Sequence, residues 1–162
     1  MQIYLLRHGI AEDAKPRQSD SDRNLTEEGR EKLRRILKRA RVAGVEPALI
    51  VSSTLRRAVQ TAEEAAGALG YQGKILLTRA LVPEASPSDV WEEIRVHKHE
   101  PSILLASHEP LMSSTMGYLL RCPALMVDFK KGALVRIDCE GFGPEPVGFL
   151  KWMLTASLAG PA

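Results

Sequence analysis

The sequence predicts an α/β fold: a three-layer α/β/α sandwich around a mostly parallel central sheet, with antiparallel strands near the C-terminus. Two observations carry this reading. Short apolar runs of strand character alternate with amphipathic helical patterns as far as Leu120, the order that builds a parallel sheet covered on both faces. Beyond it, Met126–Phe129 and Ala133–Ile137 alternate with no helix between them, which suits antiparallel pairing. At 162 residues and 44% hydrophobic content the chain is expected to form one domain over 1–162, with material for a substantial core.

The first strand is Ile3-Tyr4-Leu5-Leu6, and a guanidinium, an imidazole and a glycine follow it at once as Arg7-His8-Gly9. Open α/β sheets place ligands beyond the carboxyl ends of their strands, so Arg7 and His8 fall where chemistry is expected. Arg offers a planar fork of donors matched to phosphate oxygens, and His can be a neutral nucleophile near pH 7. A tripeptide alone is a weak signal, however. The rest of the chain must supply a second Arg and a second His at other strand ends.

Ile10–Asn24 is polar and charged and reads as an exposed loop bordering the site. Thr26 is placed as the N-cap of a helix with Glu27 and Glu28 in its first turn, Leu33, Ile36, Leu37 and Ala40 on its buried face, and Gly44 at its end. Ala48–Ser52 is the second strand. Thr54 is expected to cap the next helix, whose apolar face runs through Leu55, Ala58, Val59, Ala62, Ala66 and Leu69 to Gly70. Arg56 and Arg57 then lie in the first turn. Cations are misplaced at a helix N-terminus unless an anion is their partner.

Lys74–Leu77 reads as a third strand, and Ser86-Pro87-Ser88-Asp89 as a helix start with Val90, Trp91 and Ile94 packing inward. His97 and His99 are read as an exposed, charged tail; a metal site there lacks further ligands. Ser102–Ser107 is the plainest buried strand, and it runs into His108-Glu109-Pro110, repeating the placement of His8. Pro110 starts a helix with Leu111, Thr115, Met116, Leu119 and Leu120 on its apolar face. Met126–Phe129 and Ala133–Ile137 are expected to pair as a hairpin about Lys130-Lys131-Gly132, and Val147–Leu154 is a last apolar segment.

Lys and Arg total 22 against 20 acidic residues, a net charge of +2, so no global field draws the chain to nucleic acid or a membrane surface. Any positive site must be local. Cys122 and Cys139 show no C-x-x-C spacing, Met1-Gln2 opens no secretory signal, and no apolar run nears the ~20 residues that span a bilayer. A cytoplasmic protein is expected.

Arg7-His8-Gly9, Leu55-Arg56-Arg57-Ala58-Val59-Gln60-Thr61-Ala62 and Ser107-His108-Glu109-Pro110 resemble, in order and spacing, the three signatures of the histidine phosphatase superfamily. Asp22–Gly29, Leu81–Pro87, Lys131–Leu134 and Leu150–Trp152 further resemble its SixA-type phosphohistidine phosphatase branch. The resemblance implies that His8 is the nucleophile that becomes phosphorylated, and that Arg7, Arg57 and His108 hold the phosphoryl oxygens. Arg57, directly before Ala58, matches the motif position; Arg56 does not. Asn24 and Thr54 depart from the pattern, each standing where Pro is frequent.

Elementary chemistry agrees with those roles. Guanidinium neighbours lower an imidazole pKa and keep His8 competent to attack. Two arginines and a second imidazole stabilise charge on a transferring phosphoryl group without a metal, so no cofactor is expected. The expected partner is a phosphorylated protein (a histidine phosphotransfer domain) or a small phosphorylated metabolite, met by a monomer. An imidazole leaves with little proton donation, whereas an alkoxide needs a general acid. Glu109, Glu84 and Asp89 are the candidates for one, none of them unambiguous. A noncatalytic phospho-ligand module and a phosphoglycerate mutase are the rivals; two positioned histidines argue against the first, and a chain too short for a lid argues against the second.

Overall fold

The computed structural model describes residues 1–161. Six strands form one sheet in the order β3-β2-β4-β1-β5-β6, made of β1 (Gln2–Arg7), β2 (Leu49–Ser53), β3 (Leu76–Thr78), β4 (Ser102–Ser107), β5 (Leu134–Cys139) and β6 (Gly148–Leu154). The first four are mutually parallel, and β5 runs antiparallel to both β1 and β6. The sheet is therefore mostly parallel with antiparallel strands near the C-terminus, as expected.

The helices are α1 (Glu27–Val42), α2 (Arg56–Leu69), α3 (Pro87–Val96) and α4 (Leu111–Leu119). Alternation along β1 divides the core between the two faces: Ile3 and Leu5 pack with Trp91, Ile94, Met112 and Met116 of α3 and α4. Tyr4 and Leu6 pack with Leu33, Ile36, Leu37 and Ala62 of α1 and α2. Strands buried on both faces read as unbroken apolar runs, which is why β1 and β4 were plain in the sequence. The Thr26 hydroxyl caps α1 by accepting from Gly29 N–H, and Ser86 and Asp89 form a reciprocal capping box on α3.

Three expectations are corrected. Met126–Phe129 is not a strand and pairs with nothing in the sheet; β5 takes β1 and β6 as its partners instead. The segment is drawn onto the end of β1, where the Phe129 carbonyl accepts from Arg7 Nη1 at 2.6 Å. Gly132, at φ +74°, turns its N–H toward the carbonyls of Arg7 and His8, 3.1 and 3.0 Å away. Secondly, Thr54 does not cap α2: Leu55 is the N-cap and no side chain closes that end, because the hydroxyl that reaches back, from Ser53, bonds Leu55 N–H at 3.2 Å. Thirdly, His97 is half-buried against Glu93, with Nε2 3.1 Å from its carboxylate, while His99 alone is exposed. Strands β2 and β3 also begin one and two residues later than expected.

Among the described residues no helix is long and apolar enough to cross a membrane.

Candidate active site

β1 and β4 are parallel neighbours in a register that sets Arg7 beside Ser107. The next residues are therefore also neighbours, and His8 N–H donates to the Ser107 carbonyl at 2.9 Å. The rings of His8 and His108 lie 5.2 Å apart, with planes inclined by 55°. On the other side of β4, β2 ends at Ser53, and α2 begins three residues later. Its first turn carries Arg57 inward and Arg56 outward, so Arg57 is 5% exposed whereas Arg56 faces solvent. Arg7, His8, Arg57 and His108 thus meet at the carboxyl edge of the sheet, as expected.

The buried face of α2 explains how a guanidinium comes to lie inside. Arg57, Gln60 and Thr61 occupy one side of the helix, continuous with Ala58, Ala62 and Ala65. Gln60 Oε1 accepts from Leu25 N–H at 2.8 Å, and its amide donates to Asn24 Oδ1 at 2.9 Å. The Thr61 hydroxyl donates to the Arg57 carbonyl at 2.7 Å and accepts from Gly9 N–H at 3.2 Å. The helix therefore grips both ends of the loop that follows His8. Gly29, in the first turn of α1, meets the start of that loop: a Cβ there would lie 2.3 Å from the Ile10 carbonyl oxygen.

The loop itself delivers a residue that the sequence reading missed. A short 3-10 turn, Asp20–Asp22, lays Asp20 against Arg57, with Nη1 2.9 Å from the Asp20 carbonyl and Nη2 3.1 Å from its carboxylate. Desolvation works against the charged carboxyl, but Arg57 and Arg23 outweigh it and hold its pKa below the usual range. Nothing in the loop's composition separates Asp20 from Asp13 or Asp22; only the Arg on the facing helix does.

Protonation follows from burial and partners. A carbonyl can only accept, so the 2.7 Å contact between His8 Nδ1 and Gly9 O puts the proton on Nδ1 and leaves the Nε2 lone pair free. Burial pushes the His8 pKa down to about 4 against that carbonyl bond, helped by the charges of Arg57, Arg7 and Lys131. Burial also lowers His108, to about 3, with His8, Arg57 and Arg7 adding to it and Asp20 opposing. Both rings are neutral at pH 7. Arg7 Nε, Arg57 Nε and His108 Nδ1 are buried and without a partner among the described residues. Such groups are costly unless an acceptor meets them, and a tetrahedral oxyanion brings several acceptors at once.

Of the carboxylates considered for acid catalysis, Glu109 lies close enough for its charge to act on Arg7 but its oxygens are engaged by Ser113, and the other two lie away from the site. Glu109 accepts from Ser113 N–H at 2.7 Å and from its hydroxyl at 2.8 Å, closing the start of α4. Asp89 belongs to the capping box of α3, and Glu84 is exposed in its loop. No group of three or more His, Cys, Asp or Glu able to hold a metal occurs among the described residues.

A parallel-sheet edge thus gathers two neutral imidazoles and two guanidinium groups, donors suited to an oxyanion, beside an unprotonated ring nitrogen. The model of the histidine phosphatase superfamily (branch 1) matches residues 3–81. An uncharacterised protein of Picosynechococcus is 33% identical over 113 residues, which is 68% of this chain and 67% of the relative. The chain belongs to the histidine phosphatase superfamily. Its fold is similar to that of the protein histidine phosphatase SixA complexed with tungstate (TM-score 0.85, 26% identity, 97% of this chain and 98% of the other). It is also similar to the putative phosphohistidine phosphatase SixA from Agrobacterium tumefaciens (TM-score 0.81, 26% identity, 95% and 97%). A mycobacterial glucosyl-3-phosphoglycerate phosphatase shares the fold at TM-score 0.68 and 20% identity, covering 93% of this chain and 96% of the other. The family and the SixA structures together support a phosphatase activity.

Proposed function

We propose that this chain hydrolyses phosphohistidine on a protein of the phosphorelay type, through a phosphorylated His8 and without a metal. The His8 Nε2 lone pair attacks phosphorus in line with the departing imidazole nitrogen, which takes the electron pair of the broken P–N bond. Arg7, Arg57 and His108 hold the equatorial oxygens, where charge accumulates in a loose transition state. Water then attacks the phosphorus of phospho-His8, the P–N electron pair returns to His8, one proton of the water passes to phosphate or solvent, and orthophosphate leaves.

The observation that carries the choice of substrate is the state of the carboxylates. Glu109 is tied into the start of α4, Asp89 caps α3, and Asp20 is held ionised against Arg57. None of these is poised to protonate an alkoxide, whereas an imidazole leaves with little help. An open cleft of about 930 Å³ beside Arg7, lined by Lys32, Arg35, Lys130 and Lys131 against Asp128, favours a substrate with acidic surroundings. Monomeric action on a histidine phosphotransfer domain is consistent with that openness. Turnover of a phosphohistidine protein, phosphoserine and a sugar phosphate by the same preparation tests the proposal. Phosphohistidine is expected to be preferred by at least roughly 100-fold in kcat/KM, the span a missing general acid opens; equal rates on all three overturn the assignment.

A further inference from the structure

His108 has two ring nitrogens in different circumstances. Nε2 lies 2.8 Å from the Ser53 hydroxyl, whereas Nδ1 is buried with no partner. Ser53 ends β2 and is fully buried; the β2–β4 register, Ser52 beside Ala106, sets Ser53 level with Ser107, one residue short of His108. Its oxygen also accepts from Leu55 N–H at 3.2 Å.

We infer that Ser53 is a positioning residue that fixes His108 as the neutral tautomer with its proton on Nδ1. Counting protons decides between the two forms. If the Ser53 hydroxyl donates to Nε2, its single proton is used, its oxygen takes the Leu55 N–H, and only Nδ1–H is left over. If Nε2–H donates to Ser53 instead, the oxygen accepts twice, and the hydroxyl proton is stranded in a fully buried site with no acceptor near it. The second arrangement also points a lone pair of Nδ1 at the place where phosphoryl oxygens are expected, so that acceptor would face acceptor.

His108 stays neutral in either form, so the distinction concerns where its proton sits. Burial first, then His8, Arg57 from α2, Asp20 from the loop and Arg7 from β1, set its protonation state, whereas Ser53 from β2 sets its tautomer. The use made of the proton rests on the proposed function: Nδ1–H is the donor that His108 offers to a phosphoryl oxygen. Leu55 N–H holds the Ser53 oxygen in turn, so the uncapped start of α2 reaches the catalytic edge through one hydroxyl.

Long-range nitrogen–proton NMR of the imidazoles tests this without a substrate. Wild-type His108 is expected to carry its proton on Nδ1 at neutral pH, and Ser53→Ala to show a mixture with the Nε2–H form. Inorganic phosphate should then bind the variant more weakly by the inverse of the Nδ1–H fraction, about 2-fold for an equal mixture and about 5-fold if one ring in five keeps that form. A merely structural serine would lower thermal stability and leave the tautomer unchanged. Finding wild-type His108 protonated on Nε2, or an unaltered tautomer in Ser53→Ala, overturns the inference. Absence of turnover on every phosphorylated substrate would count against the phosphatase reading alone, because the tautomer is read in the free protein.

Discussion

Asp20 holds Arg57 at two points, its carbonyl 2.9 Å from Nη1 and its carboxylate 3.1 Å from Nη2. The two contacts have opposite consequences for an incoming anion. The carbonyl steadies the guanidinium, while the carboxylate shares its charge and repels phosphate. Asp20→Asn keeps the first and removes the charge of the second. Inhibition by orthophosphate is expected to tighten by a few-fold, roughly what a single screened charge near the surface is worth. An inhibition constant that weakens instead would show the carboxylate to be needed for orientation.

His8→Ala and Glu109→Gln separate attack from proton donation. Removing the attacking nitrogen should abolish turnover on every substrate. Glu109→Gln should leave phosphohistidine hydrolysis within about 3-fold and cost about 0.5–1 kcal/mol of stability, the worth of a helix-start hydrogen bond. Steady-state kinetics with chemical denaturation reads both. Persistent turnover by His8→Ala would end the covalent mechanism, and a large loss for Glu109→Gln would end the leaving-group argument.

The depressed histidines make two pH predictions. In kcat/KM, corrected for ionisation of the substrate, the acid limb due to His8 should fall near pH 4 rather than near its ordinary value of 6.5. Stability should move in the corresponding sense. Below 6.5 the unfolded chain takes up protons that the folded rings refuse until about 4 for His8 and about 3 for His108, so stability is full above 6.5 and is lost as the pH falls through that window. The loss should be on the order of 2 kcal/mol per ring between about pH 7 and pH 5. Denaturation curves that superimpose over this range would contradict the neutral pair.

Activity is expected to survive exhaustive treatment with EDTA, since Arg7, Arg57 and His108 supply the charge and donors that a metal would otherwise bring. Loss on chelation, restored by a divalent ion, would revive a metallophosphatase mechanism.

Gly29→Ala tests how tightly the loop after His8 is seated. The added Cβ would meet the Ile10 carbonyl oxygen at 2.3 Å and its amide nitrogen at 2.9 Å, backbone atoms with nowhere to yield. A loss of about 1–3 kcal/mol is expected, with a fall in kcat/KM as Asp20 and Gly9 shift. A variant of unchanged stability and activity would mean that the loop is not held by this contact.

How far the site could be read from sequence follows from what each residue depends on. His8, His108 and Arg57 are set by their own strand or helix: an apolar run ends and the next side chain falls in the cleft. Ser53 and Asp20 depend on partners distant in sequence, and nothing local marks them apart from other small polar or acidic residues. The expected hairpin failed for the same reason. Alternation of Met126–Phe129 fits a strand, but the competing bond from Arg7 to the Phe129 carbonyl belongs to another part of the chain. The sequence singles out Arg57 on α2, but the rest of its buried face reads as apolar, and Gln60 and Thr61, which continue the polar stripe from Arg57, are overlooked.

The register of β1 and β4 places Arg7 beside Ser107, and both histidines follow directly. Their separation is therefore governed by the spacing of hydrogen-bonded strands, about 4.8 Å, and the intervening loops and helices have no part in it. Insertions or deletions in the stretch between Gly70 and Lys74, or in the turn after α3, leave that distance as it was. The histidine pair is thus insulated from changes in chain length, and the surface around it is free to vary while the geometry at the sheet edge stays constant.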